Sequence, residues 1–304
     1  MTEISVVGDS TEWQKDFERR LHASYTTAGL GADAAERRLE DVRVGIGDWT
    51  VAEITDAGAR VGYVAVTVAD DNGTLAGRIG DLRVDALHAG QGHEQAARDW
   101  AEEWCAERGA RRLDIRLTEP VGELFGGYHV RGQLRMRRVS SPPELVDGVT
   151  ARTMTQDEYP EWLASEKAAY IGDIVRAGAL SSEEAARKAD RDFAKVIPEG
   201  LSTPDNTFLV LEAAGGRIGT GWVKHGYLPG VTYGYSLFIQ EEHRGKGYGR
   251  AAMAAGEQAT LAAGDSMLMF TVWGGNEEAM RLYTRAGYHV MEEYRWIGLP
   301  CSAT

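Results

Sequence analysis

A shift of 155 positions lays one half of this chain over the other, and that repeat restricts its fold more than any single motif. The segment Arg244-Gly245-Lys246-Gly247-Tyr248-Gly249 lands on Ala89-Gly90-Gln91-Gly92-His93-Glu94. The same shift carries Leu237 onto Leu82, Ile239 onto Val84, Gly264 onto Gly109, Tyr283 onto Tyr128 and Gly287 onto Gly132. Upstream, Arg60-Val61-Gly62 answers Arg217-Ile218-Gly219 across loops of different length. Hydrophobic periodicity then gives each half one order: strand, two helices, three strands, glycine loop and helix, strand, helix, strand. In the second half the opening helices are expected at Tyr159 to Ala177 and Ser181 to Ile197. Ser181 is the N-cap of the latter, with acidic residues in its first turn. The run Ser140 to Gly148 holds two prolines and polar flanks that continue neither strand nor helix, so it is the natural linker. Two domains follow, at 1–141 and 149–304, a reasonable division of 304 residues.

Each glycine loop sits between an apolar strand and a helix, with Tyr233 to Ile239 preceding the second loop. A glycine-rich turn feeding a helix gathers unpaired N–H groups and the positive end of the helix dipole, which suits phosphate oxygens. Glycine lets the backbone approach the ligand and take angles that a Cβ forbids. The second loop is not a dinucleotide fingerprint, because no acidic ribose-binding residue follows in a βαβ unit, and it lacks the Lys-Ser/Thr ending of a Walker loop.

Arg244, Gly247 and Gly249, followed by Asn276, Leu282, Tyr283, Gly287 and Tyr288, resemble the acetyl-CoA loop and the following helix of the GCN5-related N-acetyltransferase (GNAT) family. The resemblance covers roughly residues 150 to 298. It implies an α/β fold of the mixed-sheet α+β kind: two tandem domains of the family, each a largely antiparallel central sheet flanked by helices. This is the plan also found in mycothiol synthase. It further implies acetyl-CoA as cosubstrate and transfer of acetyl to a primary amine of a small molecule by direct attack on the thioester. Arg244, Gly245, Lys246, Gly247, Tyr248, Gly249 and Arg250 would hold the pyrophosphate. Leu237, Phe238 and Ile239, splayed from the next strand, would hold the pantetheine arm, and Asn276 would bond it too. Tyr283 takes the family's position for the proton donor to sulfur. Core packing for Tyr283 and a plain N-cap for Asn276 are the structural alternatives. Transfer of a longer acyl group, a hydroxyl or protein N-terminus as acceptor, and a non-catalytic CoA-binding scaffold stay open at this level.

The first copy is worn. Ala89 replaces the loop arginine, Glu94 the last glycine and Val121 the asparagine. A carboxylate at Glu94 repels pyrophosphate where the dipole should attract it. A structural role is therefore expected of the first half, while Gly90, Gly92 and Tyr128 persist and leave weak CoA binding there as the alternative. The base is unassigned: many relatives carry an acid where this chain has Ser236, and Tyr233, Tyr235, His225, Glu212 and Glu241 are the candidates. Trp162, Tyr170, Trp222, Tyr227, Trp273, Tyr294 and Trp296 are expected either to line an acceptor pocket or to form aromatic core.

A net charge of −13 argues against nucleic acid and favours a cationic substrate. Cys105 and Cys301 form neither a disulfide framework nor a metal cluster, and the histidines lack ligand spacing, so no metal is expected. There is no run of eighteen apolar residues and no leader at Met1, so a cytoplasmic protein without membrane contact is expected, and a homodimer is compatible with all of this.

Overall fold

The computed structural model describes residues 1–300 except Asn72, Pro120, Val121, Val146 and 177–179. Val121 and Cys301, and the expected helix end at Ala177, thus lie outside the described residues. The first half forms β1 (Thr2–Val6), α1 (Thr11–Thr27), α2 (Ala32–Arg43), β2 (Thr50–Asp56), β3 (Ala59–Asp71), β4 (Thr74–Val84), α3 (His93–Glu107), β5 (Arg112–Leu117) and β6 (His129–Arg138). The second forms β7 (Val149–Thr153), α4 (Tyr159–Arg176), α5 (Ser182–Val196), β8 (Asn206–Ala213), β9 (Gly216–Leu228), β10 (Val231–Ile239), α6 (Tyr248–Ala262), β11 (Met267–Trp273), α7 (Glu277–Arg285) and β12 (His289–Gly298). The order repeats as expected, with one difference. Where the second half has α7, the first has a single 3-10 turn, Glu123–Phe125. Gly122 before it and Gly126-Gly127 after it disfavour a longer helix.

By compactness the chain forms two units, one of Met1–Gln133 with Met291–Thr304, the other of Leu134–Val290. The first has strand order β1-β2-β3-β4-β5-β12, and the second β7-β8-β9-β10-β11-β6. In each the neighbours β1/β2, β2/β3, β3/β4 or β7/β8, β8/β9, β9/β10 are antiparallel. The parallel pairs are β4/β5 and β10/β11. A parallel neighbour needs a crossover connection, and the glycine loop with α3 or α6 supplies it. The last strand of the first unit is β12, running from Glu293 opposite Leu117 to Gly298 opposite Arg112. The second unit is completed by β6, after which the Val139 N–H donates to the Ser266 carbonyl at 2.8 Å. The strands of each unit therefore include one from the other half of the sequence. No described helix is long and apolar enough to cross a membrane.

Apolar alternation places one core in the first unit around Ile54, Val64, Ile79 and Leu113. In the second unit Leu211, Ile218 and Ala251 pack together, and the aromatic residues Trp162, Phe193, Phe208 and Trp222 form a separate cluster. A buried charge fixes β12 in the first unit. The Glu292 side chain is 0% exposed. It accepts from the Tyr25 hydroxyl and from Arg38 Nη2, both at 2.6 Å, and from the Tyr294 hydroxyl, with Arg116 at 3.8 Å. Burial pushes its carboxyl up, but Arg38, Arg116 and these hydrogen bonds outweigh burial and hold it at about 2.

Removing one member of such a pair strands the other charge in the interior, at a cost of about 3–5 kcal/mol. Glu292→Gln is expected to lower stability of the first unit by that amount at pH 7 in urea unfolding. Because the folded carboxyl titrates below its unfolded value, the stabilisation is present above about pH 4.5 and fades toward pH 2. The gap between wild type and variant should close over that window.

Candidate active site

The second unit opens where β10 leaves β11. The two strands are paired only from Val231 with Met267 to Gly234 with Phe270, although both continue beyond. On its other edge β10 stays with β9, but the register slips between Gly234 and Ser236, so Tyr235 is an extra, bulged residue. Main-chain groups of β10 beyond Gly234 on the β11 side therefore have no ladder partner. Leu237, Phe238 and Ile239 lie on this freed stretch, opposite Gly221, Thr220 and Gly219 of β9.

At the end of the opening stands the glycine loop. Gly245 and Gly247 take φ of +74° and +86°, the left-handed region that a Cβ penalises. Gly247 is the N-cap of α6 without a side-chain cap, and among the described residues no N–H of Gly245, Lys246 or Gly247 has a hydrogen-bond partner. Together with the N–H groups of Tyr248 and Gly249 in the first turn of α6 they form a row of open donors, while the Arg250 N–H donates to the Gly247 carbonyl at 3.0 Å. Arg244 is held beside it, its Nε donating to the Ile239 carbonyl at 3.3 Å and its guanidinium 6.0 Å from the Phe238 ring centre. Lys246 is exposed. A Cβ on Gly249 would lie 3.0 Å from Leu282 Cδ2, so this glycine lets α7 come close.

That approach sets Tyr283 against Phe270, with ring centres 4.4 Å apart, on the face covered by α6. Its hydroxyl has no hydrogen-bond partner among the described residues. Burial raises the pKa of the phenol and Arg135 opposes the rise, so the proton stays on at neutral pH. Asn276 caps α7, its Oδ1 accepting from the Ala279 N–H at 3.2 Å, and it is exposed.

On the opposite face, covered by α4 and α5, the chain holds a carboxylate that sequence reasoning missed. The Ser236 hydroxyl donates to Glu166 Oε1 at 2.8 Å. Burial raises the Glu166 pKa, while Ser236 resists the rise. The Trp162 Nε1–H lies toward the same carboxyl and favours its charge, but outside good hydrogen-bond geometry. A signal was present: Glu166 falls in the inward stripe Trp162, Glu166, Tyr170, Ile174 of α4, where an unpaired acid is costly. The expected base candidates are mostly occupied. Glu212 receives Arg152 at 3.0 Å, and Tyr233 donates to Thr271 at 2.9 Å. His225 is held between Thr207 and Thr232, and burial lowers its pKa, so it is neutral. Glu241 is exposed on the 3-10 turn before the loop. Tyr235 alone keeps a hydroxyl without a partner among the described residues.

The aromatic residues divide. Trp162, Tyr170 and Trp222 cluster on the α4 face, with Tyr227 at the rim and Trp273 at the end of β11. Tyr294 and Trp296, expected either to line an acceptor pocket or to form aromatic core, belong to the first unit, because β12 is a strand there. Tyr294 bonds Glu292, and Trp296 lies 5.3 Å from His129.

In the first unit side chains engage the polar groups of the same backbone arrangement. Gly90 and Gly92 repeat the loop angles at +74° and +90°, but Glu94 Oε1 accepts from the Gly90 N–H at 3.1 Å and fills the donor row. The bulge recurs at Gly80, where a Cβ would lie 2.0 Å from Cζ3 of Trp49, so that indole covers it. Tyr128, the counterpart of Tyr283, donates to Glu102 at 2.7 Å. Asp81, in the place of Ser236, is taken by Trp13 at 2.9 Å and Arg20 at 2.6 Å. A cavity of about 260 Å³ persists between β4 and β5.

Residues 160–288 match the acetyltransferase (GNAT) family model. The chain is 29% identical to the uncharacterized N-acetyltransferase YycN of Bacillus subtilis, over 44% of this chain and 88% of that protein. It is 31% identical to a mycothiol acetyltransferase of Thermobispora bispora, a match that covers 58% of this chain and only 59% of that relative. With the mycothiol acetyltransferase of Streptomyces bingchenggensis it shares 26% identity over 91% of this chain and 90% of the other. Among solved structures, a GCN5-related N-acetyltransferase from Sphaerobacter thermophilus has the same fold, with a TM-score of 0.56 and 18% identity over 97% of this chain and 94% of that one.

The Glu166 carboxyl offers a direct test of this geometry. Ser236→Ala removes a donor that favours the ionised form, so the Glu166 pKa should rise further above the ordinary carboxylate range. Carbon-13 NMR of the glutamate carboxyls measures it, and an unchanged or lower value would contradict the arrangement.

Proposed function

We propose that the second unit, which matches the acetyltransferase (GNAT) family model over residues 160–288, moves acetyl from acetyl-CoA to a primary amine of a small molecule by direct attack on the thioester. One observation carries the reading. The gap between β10 and β11 lies between Tyr283, a phenol whose hydroxyl no described residue engages, and Glu166, a carboxylate with no cationic partner among the described residues. At the corresponding gap of the first unit the loop donors, the tyrosine and the acid are engaged by its own side chains, although a cavity remains between β4 and β5.

The residues present fit the cosubstrate. Open N–H groups from Gly245 to Gly249, with Arg244 and Lys246 nearby, would hold the pyrophosphate, and the freed edge of β10 would hold the pantetheine arm and polarise the thioester carbonyl. Asn276 keeps its side-chain amide N–H available to join that arm while its oxygen caps α7. When bound, acetyl-CoA supplies the activated acyl group and the thiol leaving group.

An alkyl amine with a pKa near 10.4 is neutral only about once in two or three thousand molecules at pH 7, a cost of roughly 4–5 kcal/mol. Glu166, raised by burial, is a base suited to taking that proton inside the site. Tyr283 sits across the sheet from it and protonates sulfur as the C–S bond breaks. A buried phenol is a weaker acid than one in water, but the same dry surroundings also disfavour a free thiolate, so the proton moves with bond cleavage. Relatives named mycothiol acetyltransferases support a small-molecule acceptor.

Release of free CoA in the presence of an amine library tests the proposal. Tyr283→Phe should lower kcat by about 10²–10⁴-fold while acetyl-CoA affinity is kept. Gly247→Asp, which puts a carboxylate into the donor row, should abolish acetyl-CoA binding. A wild-type chain that binds no CoA rejects the proposal outright. The rate should fall as pH drops through the raised Glu166 pKa, and Glu166→Gln should lose that limb of the profile along with most of the rate.

A further inference from the structure

The α4 side of the opening is built from electron-rich rings. Tyr233 and Tyr235 are two residues apart on β10, with ring centres 5.0 Å apart. Tyr227 at the end of β9 lies 4.7 Å from Tyr233, and Trp222 stacks beneath Tyr235 at 4.3 Å. Tyr170 approaches from α4, fixed by its hydrogen bond to Asp192 at 2.7 Å, and its phenol feels that of Tyr233. The Tyr235 phenol feels those of Tyr227 and Tyr233 in turn, so the four belong to one patch. Glu166 lies one helical turn before Tyr170 and bonds Ser236, the residue next to Tyr235.

The two carboxylates that border the patch differ in charge balance. Asp192, behind Tyr170, is already matched by Lys188 at 2.8 Å. Glu166 is met by a serine hydroxyl and an indole edge, and among the described residues no arginine or lysine acts on it. The tyrosine faces offer negative quadrupole density, which attracts cations once water is excluded. The hydroxyls of Tyr227 and Tyr235 have no partner among the described residues, so neither ring is locked away by a bond of its own. A neutral or anionic acceptor would leave every one of these features unmatched.

We propose that the acceptor enters as a cation, its ammonium resting against the faces of Tyr227, Tyr233 and Tyr235 and pairing with Glu166 before the proton is surrendered. This deepens the amine reading above and rests on it. It predicts that the patch selects charge as well as shape, and that a quaternary ammonium ion, which cannot be acetylated at nitrogen, occupies the same place. The net charge of −13 adds a long-range pull on such a ligand.

Choline and its uncharged isostere 3,3-dimethylbutan-1-ol separate charge from shape. Titrated calorimetrically into the full chain with CoA present, choline should bind at least about 10-fold more tightly than the alcohol. Tyr235→Leu should weaken choline about 10-fold, whereas Tyr235→Phe, which keeps the ring, should stay within about 3-fold of wild type. Tyr227→Leu, at the exposed rim and away from the core, should weaken it in the same direction even if the Tyr235 variant folds poorly. CoA affinity, measured on the same proteins, reports the other face of the sheet. Loss of CoA binding by the wild type would reject the acetyltransfer reading itself. Retained CoA binding with equal affinity for the two probes, with no binding of either, or with choline affinity untouched by the leucine variants, overturns the cation site.

Discussion

The parallel pair β10–β11 runs for only four residue pairs, and the second unit is arranged around its early end. A parallel neighbour demands a crossover, so α6 and its glycine loop must stand at the point where the strands part. Once they part, backbone groups of β10 lose their ladder without being buried, and the bulge at Tyr235 turns Ser236 toward Glu166. An opening through a sheet has two faces. The α6 face carries donors and a protonated phenol; the α4 face carries rings and a carboxylate. Acyl transfer needs that division, because the leaving sulfur and the entering amine approach a carbonyl from different sides.

The first unit repeats the backbone of the second with different side chains upon it. Its loop glycines take nearly the same angles, its strands part after the same number of pairs, and its bulge falls at the corresponding position. Side chains engage its polar groups and leave a cavity between β4 and β5: Glu94 on the loop donors, Trp49 over the bulge, Glu102 on the tyrosine, Arg20 on the acid. The comparison also separates Tyr283 from Tyr128, which the sequence treats as equals. One hydroxyl meets no described partner and the other is spent on a carboxylate.

Buried carboxylates fasten the strand that completes each sheet. In the first unit Glu292 arrives on β12 and meets Arg38, Arg116 and two tyrosines. In the second the roles reverse: Arg137 arrives on β6 and donates to Glu257 at 2.9 Å, with the Tyr288 hydroxyl at 2.7 Å on the same oxygen. Unmatched charge in an interior is expensive, so a sheet closed by the wrong strand would leave one of these groups stranded. The pairing thus specifies which strand belongs where.

The sequence by itself determined the element order, apart from the first-half counterpart of α7, and the position of both glycine loops, because each depends on local spacing: a strand period, a helix cap, a glycine where φ is positive. It also placed Tyr283 and Asn276, whose spacing from the loop is fixed by one intervening helix and strand. Only the tertiary structure decided the rest. Glu166 lies 70 residues before Ser236, and a carboxylate in a helical stripe announces a cost without saying what meets it. Tyr294 and Trp296 follow the second half in sequence but fold into the first unit, since strand pairing is non-local and a sheet edge accepts whichever strand satisfies its hydrogen bonds and buried charge. Local rules set what each segment becomes; long-range pairing and the cost of unmatched polar groups set what each segment touches.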